Sequence, residues 1–506
     1  MLHTIRRAAS SGGHMEDIQS LERSRGATLQ PPLILDLDHT LIRTDCFFEA
    51  LILFLKANPL NLFVVSYWLL HGRAYVKQQL AQRVVLSIDS LPLNEDVVAY
   101  AREQAEKGRA VHMATATDEV LAVAIARRLG FIEEVYASDG KTNLKAANKA
   151  DHLVKIFPSG FAYAGDSLSD LPVFKSSKQF LIVHPSKRFS KKATECGEVE
   201  KTFVKSEGFL RPFLKSLRLH QWAKNTLVFV PLILGGQALN PMAWSSAALG
   251  FLALGILASS TYLLNDLWDL DADRQHWSKK ARPLASGKLK IVHALLAIPL
   301  GFALSFAIAA VLGPFVVLGL FFYLATTVAY SFYLKRIPLL DTAVLAVLFT
   351  MRLGIGVTLV DVPPSPWLFV FSMYLFLSLS LAKRHTELGR HVEAGTNGGM
   401  SGRGYRNNDL PVLLGMGASS GLAATLVMVL YLTNEAFNAN FYSVPVLLWG
   451  MPPILFLWLG RIWLKCQRLE LNDDPVVFAL KDRQSLVLGG LLGVLFLCAS
   501  FGGYVI

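Results

Sequence analysis

From about Leu227 onward the chain carries repeated apolar runs long enough to cross a bilayer, and no other feature restricts its fold as strongly. Because lipid offers no hydrogen bonds, each run has to form a helix that satisfies its own backbone. Nine spans are predicted, at roughly 225–239, 243–264, 291–312, 314–334, 338–360, 366–382, 410–432, 443–464 and 486–505. The sequence therefore predicts an all-α membrane domain of nine transmembrane helices over residues 206–506.

The loops between these spans alternate in charge. The loops at 265–290, 335–336, 383–406 and 465–483 are basic, whereas those near 235–241, 313, 361–365 and 433–442 contain no Lys or Arg. Because Lys and Arg concentrate in cytoplasmic loops, we expect a cytoplasmic amino terminus and an external carboxyl terminus, in an integral protein of a bacterial inner membrane. The net charge of +11 fits loops facing anionic lipid or a phosphorylated substrate, and no nucleic-acid partner is expected.

The chain ahead of the spans has a different composition. Residues 1–30 are rich in Arg, Ser and Gly and read as a disordered tail, with a transit peptide as the alternative. Residues 31–205 alternate short apolar strands with helices, as in a soluble α/β domain. The four cysteines show no paired or metal-ligand spacing, which indicates a reducing compartment without a disulfide framework.

Three strand ends in this α/β region carry polar side chains. The first predicted strand leads into Asp36 and Asp38, whose i, i+2 spacing on a strand suits a nucleophile and a general acid/base for phosphoryl transfer. The second ends at Thr115, a hydroxyl suited to a phosphate oxygen. The third ends in a Gly-Asp-Ser-Leu-Ser-Asp segment, whose Asp166 and Asp170 are suited to Mg²⁺.

This ordered set of motifs over about residues 33–185 resembles the haloacid dehalogenase-like phosphohydrolases. The resemblance implies a Rossmann-like fold, with Asp36 and Asp38 catalytic, Thr115 and a lysine binding phosphate, and Mg²⁺ held by Asp36, Asp166 and Asp170. Lys145 and Lys149 are both candidates for that lysine, and Lys145 is preferred for its longer spacing to Asp166. A degenerate regulatory domain is the alternative to an active phosphatase.

An insert at about residues 45–81 stands in the position of a cap on the α/β domain. The runs 47–55 and 60–70 are strongly apolar, and each is too short to span a bilayer. Two interpretations remain open: cap helices buried in their own core, or a membrane-facing helical pair that admits a lipid-linked substrate.

The most distinctive motif of the membrane region is a group of acids directly after the span at 243–264. On a continuous helix Asn265, Asp266, Asp269 and Asp273 would share one face, while Asp271 would point away. Carboxylates near hydrocarbon are costly, so they indicate a function. Three carboxylates and an amide on one face suit Mg²⁺ and, through it, a diphosphate.

With an NDxxDxxxD pattern and nine predicted spans, the chain resembles the UbiA-type polyprenyltransferase superfamily. The resemblance covers about residues 210–505. The resemblance implies that Asp266, Asp269 and Asp273 hold Mg²⁺ against a diphosphate and take part in catalysis, assisted by Asn265. Further substrate-binding residues are proposed: Arg274, Arg282, Lys224, Lys335, Asp341, Arg352, Lys383 and Arg384. Among them, the lysines, Arg274, Arg282 and Arg384 are the candidates for phosphate oxygens. The alternative for the lysines and Arg384 is that their charges only set the orientation of the loops across the membrane.

The second half departs from the superfamily pattern. Superfamily members that ionise a prenyl diphosphate typically carry a second DxxxD motif after the fourth span. Here Asp341 stands at the first acid of that motif, but Leu345 stands where its second acid would be. Asp341 lies nearly on the same helix face as Arg352, a cation that needs an anionic partner or a cavity within the membrane. Within the superfamily, the chain most resembles the decaprenyl-phosphate phosphoribosyltransferases. Segments 217–225, 282–287 and 381–388 carry this resemblance.

The leading hypothesis is a bifunctional membrane enzyme that requires Mg²⁺ in both domains. One domain would transfer 5-phosphoribose from phosphoribosyl pyrophosphate to polyprenyl phosphate, and the other would remove the 5-phosphate. One alternative is a prenyltransferase that passes a polyprenyl group from its diphosphate to an aromatic acceptor. A second alternative is a non-enzymatic membrane carrier or scaffold. A homo-oligomer is compatible with the sequence.

Overall fold

The chain forms two compact units. The computed structural model describes residues 30–184, 186–204, 208–395, 403–439, 442–471 and 475–501, so the predicted tail at 1–30 lies outside the described residues except for Gln30. The first unit comprises the chain up to Phe213 together with Asp266–Ala294, and the second comprises Leu214–Asn265 and Leu295–Ile506. The acidic stretch from Asp266 onward therefore belongs to the same unit as the α/β domain.

A six-stranded, fully parallel sheet forms the centre of the first unit. Its strands are β1 (Leu33–Leu35), β2 (Val111–Asp118), β3 (Val135–Ser138), β4 (Ala162–Gly165), β5 (Gln179–Val183) and β6 (Glu198–Phe203). Their spatial order is β3-β2-β1-β4-β5-β6. Leu33 and Leu35 enter one hydrophobic core and Ile34 enters another, as expected when alternate side chains of a strand point to opposite faces. The predicted Rossmann-like α/β fold is confirmed.

Within the described part of the chain, nine α-helices lie between residue 46 and residue 216. They are α1 (Cys46–Ala57), α2 (Asn61–Leu69), α3 (Arg73–Arg83), α4 (Glu95–Glu106), α5 (Glu119–Leu129), α6 (Ala147–Ile156), α7 (Leu171–Ser176) and α8 (Lys187–Thr194), followed by α9 (Leu210–Ser216). Short 3₁₀-helices occupy Ile88–Ser90, Leu168–Asp170 and Lys279–Ala281.

The remaining helices are mostly of membrane-spanning length. They are α10 (Val230–Leu234), α11 (Pro241–Trp268), α12 (Leu270–Gln275), α13 (Ile291–Leu312), α14 (Pro314–Phe332), α15 (Leu340–Val360), α16 (Pro366–Glu393), α17 (Leu410–Asn434), α18 (Met451–Gln467), α19 (Pro475–Lys481) and α20 (Arg483–Phe501). Further 3₁₀-helices occupy Leu219–Phe229, Leu334–Arg336, Asn407–Asp409, Ala436–Asn438 and Pro445–Gly450. Within the described residues, eight helices are long and apolar enough to cross a membrane, one fewer than the nine predicted.

The predicted span at 225–239 accounts for the difference. Here the chain forms the 3₁₀-helix Leu219–Phe229 and then the short α10, which ends before Gly235. Gly236 follows with a positive φ of 72°, which an α-helix cannot continue. Because a 3₁₀-helix rises about 2.0 Å per residue and an α-helix 1.5 Å, the two pieces would reach roughly 30 Å if their axes were collinear, which is near the thickness of the hydrocarbon layer.

The cap insert forms α1, α2 and α3, and part of it packs in a core of its own. Val65 and Trp68 of α2 are buried in a small core with residues of α1 and α3. The opposite face exposes large apolar side chains, defined here as the cap patch: Leu60, Leu62, Phe63, Tyr67 and Leu70. A soluble domain rarely exposes such a continuous apolar surface.

Candidate functional site

The acids of the α/β domain lie where the strand order reverses. From β1 the chain crosses to β2 on one side, and β4 pairs with β1 on the other. In open parallel sheets, ligands bind outside the carboxyl ends of the strands at this switch point. Asp36 follows β1 directly, and its backbone N–H donates to Ala164 O of β4 over 3.0 Å. Asp166 follows β4, so two predicted metal ligands meet at one edge.

Three carboxylates converge there. One oxygen each from Asp36, Asp166 and Asp170 lies within 4.8 Å of the other two. Asp170 reaches this position because Gly165 has no side chain: a Cβ at residue 165 would lie 2.9 Å from Asp170 Cγ. The N–H of Ser167 and its hydroxyl both donate to Asp170 Oδ2, at 3.0 and 2.9 Å, and fix its rotamer. A set of hard oxygen donors fits Mg²⁺.

A buried lysine and a buried tyrosine connect these acids. Lys149 Nζ donates to Asp36 Oδ1 over 2.9 Å and to the Tyr163 hydroxyl over 2.8 Å. That hydroxyl donates to Asp170 Oδ1 over 3.2 Å. The lysine side chain is 4% exposed, so its charge acts in a medium of low dielectric constant, where its ion pair with Asp36 is strong.

Burial sets the protonation of the site. It raises the pKa of Asp36 to about 7, although Lys149 lowers it, and it raises the pKa of Asp166 to about 6 against the effect of Lys290. Burial alone would lower the pKa of Lys149, but Asp36 and Asp170 outweigh it and the pKa is raised. Lys149 is therefore charged, and the clustered carboxylates favour a further cation.

Asp38 is held by hydrogen bonds from the first residue of α1 and from β2. Its Oδ1 accepts from the backbone N–H of Cys46 over 2.9 Å, and its Oδ2 accepts from the Thr117 hydroxyl over 2.7 Å. The N–H of Thr117 in turn donates to Thr115 Oγ1 over 3.1 Å. Thr115 is fully buried, so the predicted acid/base and phosphate ligand belong to one hydrogen-bonded array.

The two candidate lysines lie in different environments. Lys145 is exposed in the loop before α6, whereas Lys149 lies in the first turn of α6 and contacts Asp36. Chain spacing favoured Lys145, but the helical period points to Lys149, because it shares the buried face with Leu153 four residues later. That signal was present in the sequence.

The acidic stretch is not one continuous helix, as the shared-face prediction assumed. Helix α11 ends at Trp268, Asp269 has a non-helical backbone, and α12 begins at Leu270. Asp266 and Asp273 are nevertheless brought together: Arg282 Nη1 lies 3.1 Å from Asp266 Oδ1 and 2.5 Å from Asp273 Oδ2.

The remaining residues of the predicted acidic motif are Asp271, Asp269 and Asn265. Asp271 turns away as expected, and its Oδ1 accepts from the Ser90 hydroxyl over 2.9 Å. Asp269 is half-buried, as is Asn265 at the end of α11. Among the described residues, only the carboxylates of the α/β domain meet as a set of three within 4.8 Å.

Arg274 was predicted to bind phosphate, but it contacts a carboxylate of the cap. Its guanidinium forms a two-pronged ion pair with Glu49 of α1, with Nη1 donating to Oε2 over 3.1 Å. Its Nε donates to Ala285 O over 3.1 Å. The two side chains are 4% and 5% exposed, so Arg274 connects the acidic stretch to the cap rather than facing an open site.

A second charged cluster lies in the second unit, around Asp341. Arg384 Nε lies 2.8 Å from Asp341 Oδ2, an ion pair by distance, although its N–H does not point at that oxygen. The Tyr405 hydroxyl donates to Asp341 Oδ1 over 2.5 Å, and Arg403 lies 3.7 Å from Oδ2. Asp341 and Arg384 are fully buried inside the helical bundle, and Arg384 Nη1 also pairs with Glu387, so the cluster balances two acids with two arginines.

Arg352 does not use Asp341 as its partner, contrary to the suggestion of the helix face. Its Nε donates to Asn225 Oδ1 over 3.0 Å, its Nη1 to Leu348 O and its Nη2 to the Tyr323 hydroxyl, both over 2.6 Å. Neutral oxygens therefore solvate this buried cation.

The three predicted lysine ligands of the second unit are half-buried. Lys224 Nζ lies 5.6 Å from the ring centroid of Phe349, whereas Lys335 is in the 3₁₀-helix Leu334–Arg336 and Lys383 precedes Arg384 on α16.

Several contributors gave no recognisable signal in the sequence. Tyr163 looks like an ordinary apolar strand residue, and Tyr405 lies far along the chain from Asp341. Glu49 and Arg274 are 225 residues apart, and Lys290 and Asp166 are 124 apart. Such pairs follow from tertiary packing, and local patterns carry no information about them.

Fold and site together define an integral membrane protein that carries an α/β domain with a metal-compatible acidic centre. The chain belongs to the UbiA prenyltransferase family, whose model matches residues 227–481. It is 38% identical to the uncharacterised protein y4nM of Sinorhizobium fredii (strain NBRC 101917 / NGR234), over 92% of this chain and 91% of that protein.

Two further comparisons concern one domain each. The decaprenyl-phosphate phosphoribosyltransferase of Corynebacterium glutamicum is 32% identical over 36% of this chain and 56% of its own length. A phosphoserine phosphatase structure superposes with a TM-score of 0.26 and 18% identity, over 37% of this chain and 98% of that chain. The predicted membership of the UbiA family is thus confirmed.

Proposed function

We propose that the protein is a bifunctional membrane enzyme that makes a lipid-linked ribose in two steps. The membrane domain, residues 206–506, transfers 5-phosphoribose from phosphoribosyl pyrophosphate to polyprenyl phosphate. The α/β domain, residues 31–205 with its cap at about 45–81, then removes the 5-phosphate. One observation carries this proposal: the acidic stretch from Asp266 onward and the acidic centre at Asp36 belong to one compact unit.

In the transfer step an oxygen of the lipid phosphate attacks C1 of the ribose, and the bond from C1 to the diphosphate oxygen breaks. Asp266, Asp269 and Asp273 would hold Mg²⁺, assisted by Asn265, and the ion would stabilise the charge of the departing diphosphate. Asp266 and Asp273 fit this role, because they already face one common cation, the guanidinium of Arg282. Arg282 supplies fixed donors for phosphate oxygens beside them.

The environment of Asp341 supports a sugar diphosphate over a prenyl diphosphate as the donor. Asp341 is the lone acid where a second metal motif would stand, and it is buried against Arg384 and Tyr405. A carboxylate committed in this way is a poor ligand for a second metal ion. The similarity to decaprenyl-phosphate phosphoribosyltransferases points in the same direction. Lys224, Lys335, Lys383 and the buried Arg352 remain proposed substrate-binding residues or structural cations of this domain.

In the phosphatase step Asp36 attacks the phosphorus of the 5-phosphate, and the bond to the ribose oxygen breaks. Asp38 donates a proton to that leaving oxygen and then takes one from the water that releases phosphate from Asp36. Thr115 and Lys149 hold the phosphoryl oxygens, and Lys149 also opposes the rise that burial causes in the pKa of Asp36. Mg²⁺, held by Asp36, Asp166 and Asp170, would neutralise phosphoryl charge when bound.

The proposed topology places the α/β domain and the basic loops in the cytoplasm of a bacterial cell and the carboxyl terminus outside. It requires the segment Leu219–Leu234 to cross the membrane in addition to the eight long helices. With collinear axes, the two helical pieces of that segment would reach roughly 30 Å, which is enough for such a crossing. Both chemical steps would then share the cytoplasmic side.

Purified protein in lipid vesicles tests the transfer. With polyprenyl phosphate, Mg²⁺ and ribose-labelled phosphoribosyl pyrophosphate, label is expected in the lipid fraction, and Asp266→Asn should remove it. Prenylation of an aromatic acid from polyprenyl diphosphate, without lipid labelling, would identify the protein as a prenyltransferase instead. No turnover of either donor would favour a carrier or scaffold.

A further inference from the structure

A cavity of about 320 Å³ opens beside the acidic centre of the first unit. One side is formed by the loop after β1, with His39 and Arg43, and by Asp166 and Ser167. The cavity is also lined by residues of the family-matched part of the chain: Gly287, Lys288 and Lys290. The volume is within the range of small-molecule sites. A segment of the membrane-domain sequence thus completes the wall of the phosphatase cavity.

This wall is firmly attached to the α/β domain. Gly287 has a positive φ of 70°, and a Cβ there would lie 2.6 Å from the backbone oxygen of Arg43. Two residues earlier, the oxygen of Ala285 accepts from Arg274, whose guanidinium is paired with Glu49. Close backbone packing and a buried ion pair hold residues 285–290 in place.

The cavity is rich in cationic groups. Arg43, Lys288 and Lys290 line it, and its carboxylates are Asp96 and Asp166. Lys290 Nζ lies 3.2 Å from Asp166 Oδ2, and its side chain is 37% exposed. Because Asp166 is a proposed metal ligand, its charge would be committed to the ion. The cationic side chains would then outnumber the remaining carboxylate, Asp96, and this excess of positive charge favours an anionic group on the substrate.

Backbone geometry adds a separate indication. His39 and His184 both line this cavity, and both hold a left-handed backbone, with φ of 60° and 48°. Residues other than glycine adopt this conformation at a cost, and such residues concentrate at ligand sites. His184 is fixed by a contact of 3.0 Å between its Nε2 and Asn94 Nδ2.

We infer that Lys288 and Lys290, with Arg43, form a second anion subsite that binds the phosphodiester of the phosphatase substrate while its phosphomonoester lies at Asp36. The inference rests on the proposed phosphatase step and names its substrate class: a sugar phosphate that carries a second, diester-linked phosphate. The membrane-domain loop thereby makes the phosphatase selective for the transferase product over free sugar monophosphates.

Two soluble probes that differ in one group test the subsite in the full-length protein. One is butyl riboside 5-phosphate, and the other is ribose 5-phosphate with a butyl phosphodiester at C1. The wild type is expected to prefer the diester probe about tenfold or more in kcat/KM, the range for a charge-assisted contact. Lys288→Ala should reduce this preference through KM, whereas Lys175→Ala, an exposed cation away from the cavity, should retain it.

Gly287→Ala provides a second variant that keeps every charge. It would push the wall away from Arg43, and the preference should fall as in Lys288→Ala. Equal kcat/KM for both probes in the wild type would overturn the subsite and leave the phosphatase step standing. Hydrolysis of neither probe would overturn both. A preference that survives in both variants would assign the selectivity to other residues and contradict the inference.

Discussion

Glu49 of the cap and Arg274 of the family-matched sequence form a buried, two-pronged ion pair across 225 residues of chain. Arg274 directly follows Asp273, one of the aspartates proposed to hold the diphosphate. Glu49 also accepts from the Thr44 hydroxyl, in the loop that follows Asp38. The pair therefore connects the surroundings of the two proposed catalytic centres through a few side chains.

Removing one partner of this pair should destabilise the first unit. Glu49→Ala leaves the Arg274 guanidinium buried without its carboxylate, which typically costs about 3–5 kcal/mol. Thermal unfolding in detergent should show a lower Tm, and the double variant Glu49→Leu with Arg274→Met should recover much of the loss. Additive losses in the double variant would contradict the pairing.

The two candidate lysines should differ sharply in phosphatase assays. Lys149→Met removes the cation that contacts Asp36, and kcat/KM for a sugar monophosphate should fall about 10²–10³-fold. Lys145→Met removes an exposed charge and serves as the matched control, with a change of about twofold or less. A larger loss in the Lys145 variant would reverse the assignment.

Phosphatase activity should require Mg²⁺, bound by the carboxylates of Asp36, Asp166 and Asp170. Chelation should abolish phosphate release, and added Mg²⁺ should restore it. Asp170→Asn should raise the Mg²⁺ concentration for half-maximal activity by about 10–100-fold, because a metal-supporting carboxylate is lost. Asp151→Asn changes an exposed acid of α6 and should leave the Mg²⁺ response as in the wild type. Full phosphatase activity in the chelated protein would exclude this centre as a metal site.

The cap patch should matter for lipid substrates only. Leu62 and Phe63 are 55% and 73% exposed, and inserting such side chains into the lipid surface is worth about 1.5–3 kcal/mol each. Leu62→Ser with Phe63→Ser should slow dephosphorylation of the vesicle-bound lipid about tenfold or more. Hydrolysis of a soluble sugar phosphate should persist. Val120→Ser, at an equally exposed residue of α5, is the control, and equal effects from both changes would refute a membrane-facing cap.

Much of the fold could be predicted because its signals are local. Apolar runs of fixed length indicate membrane helices, and short apolar strands with acids at their ends indicate a parallel sheet. The predicted span at 225–239 was the exception, since Pro231 and the glycines after Leu234 shorten its α-helix.

The candidate site could be predicted only in part, for a physical reason. Asp36, Asp166 and Asp170 follow strands that pair side by side, so their convergence follows from topology. Arg274, in contrast, was expected at phosphate and lies against Glu49. Which anion a buried arginine meets depends on packing between distant segments, and neither spacing nor motif encodes that choice.

The order of the two steps is the central claim, and a doubly labelled donor tests it most directly. Phosphoribosyl pyrophosphate labelled in both its ribose and its 5-phosphate is given to wild type, Asp36→Asn and Asp266→Asn in vesicles with polyprenyl phosphate. We predict ribose label without phosphate label in wild-type lipid, both labels in Asp36→Asn lipid, and neither in Asp266→Asn lipid. Equal retention of the 5-phosphate label in wild-type and Asp36→Asn lipid would contradict the account.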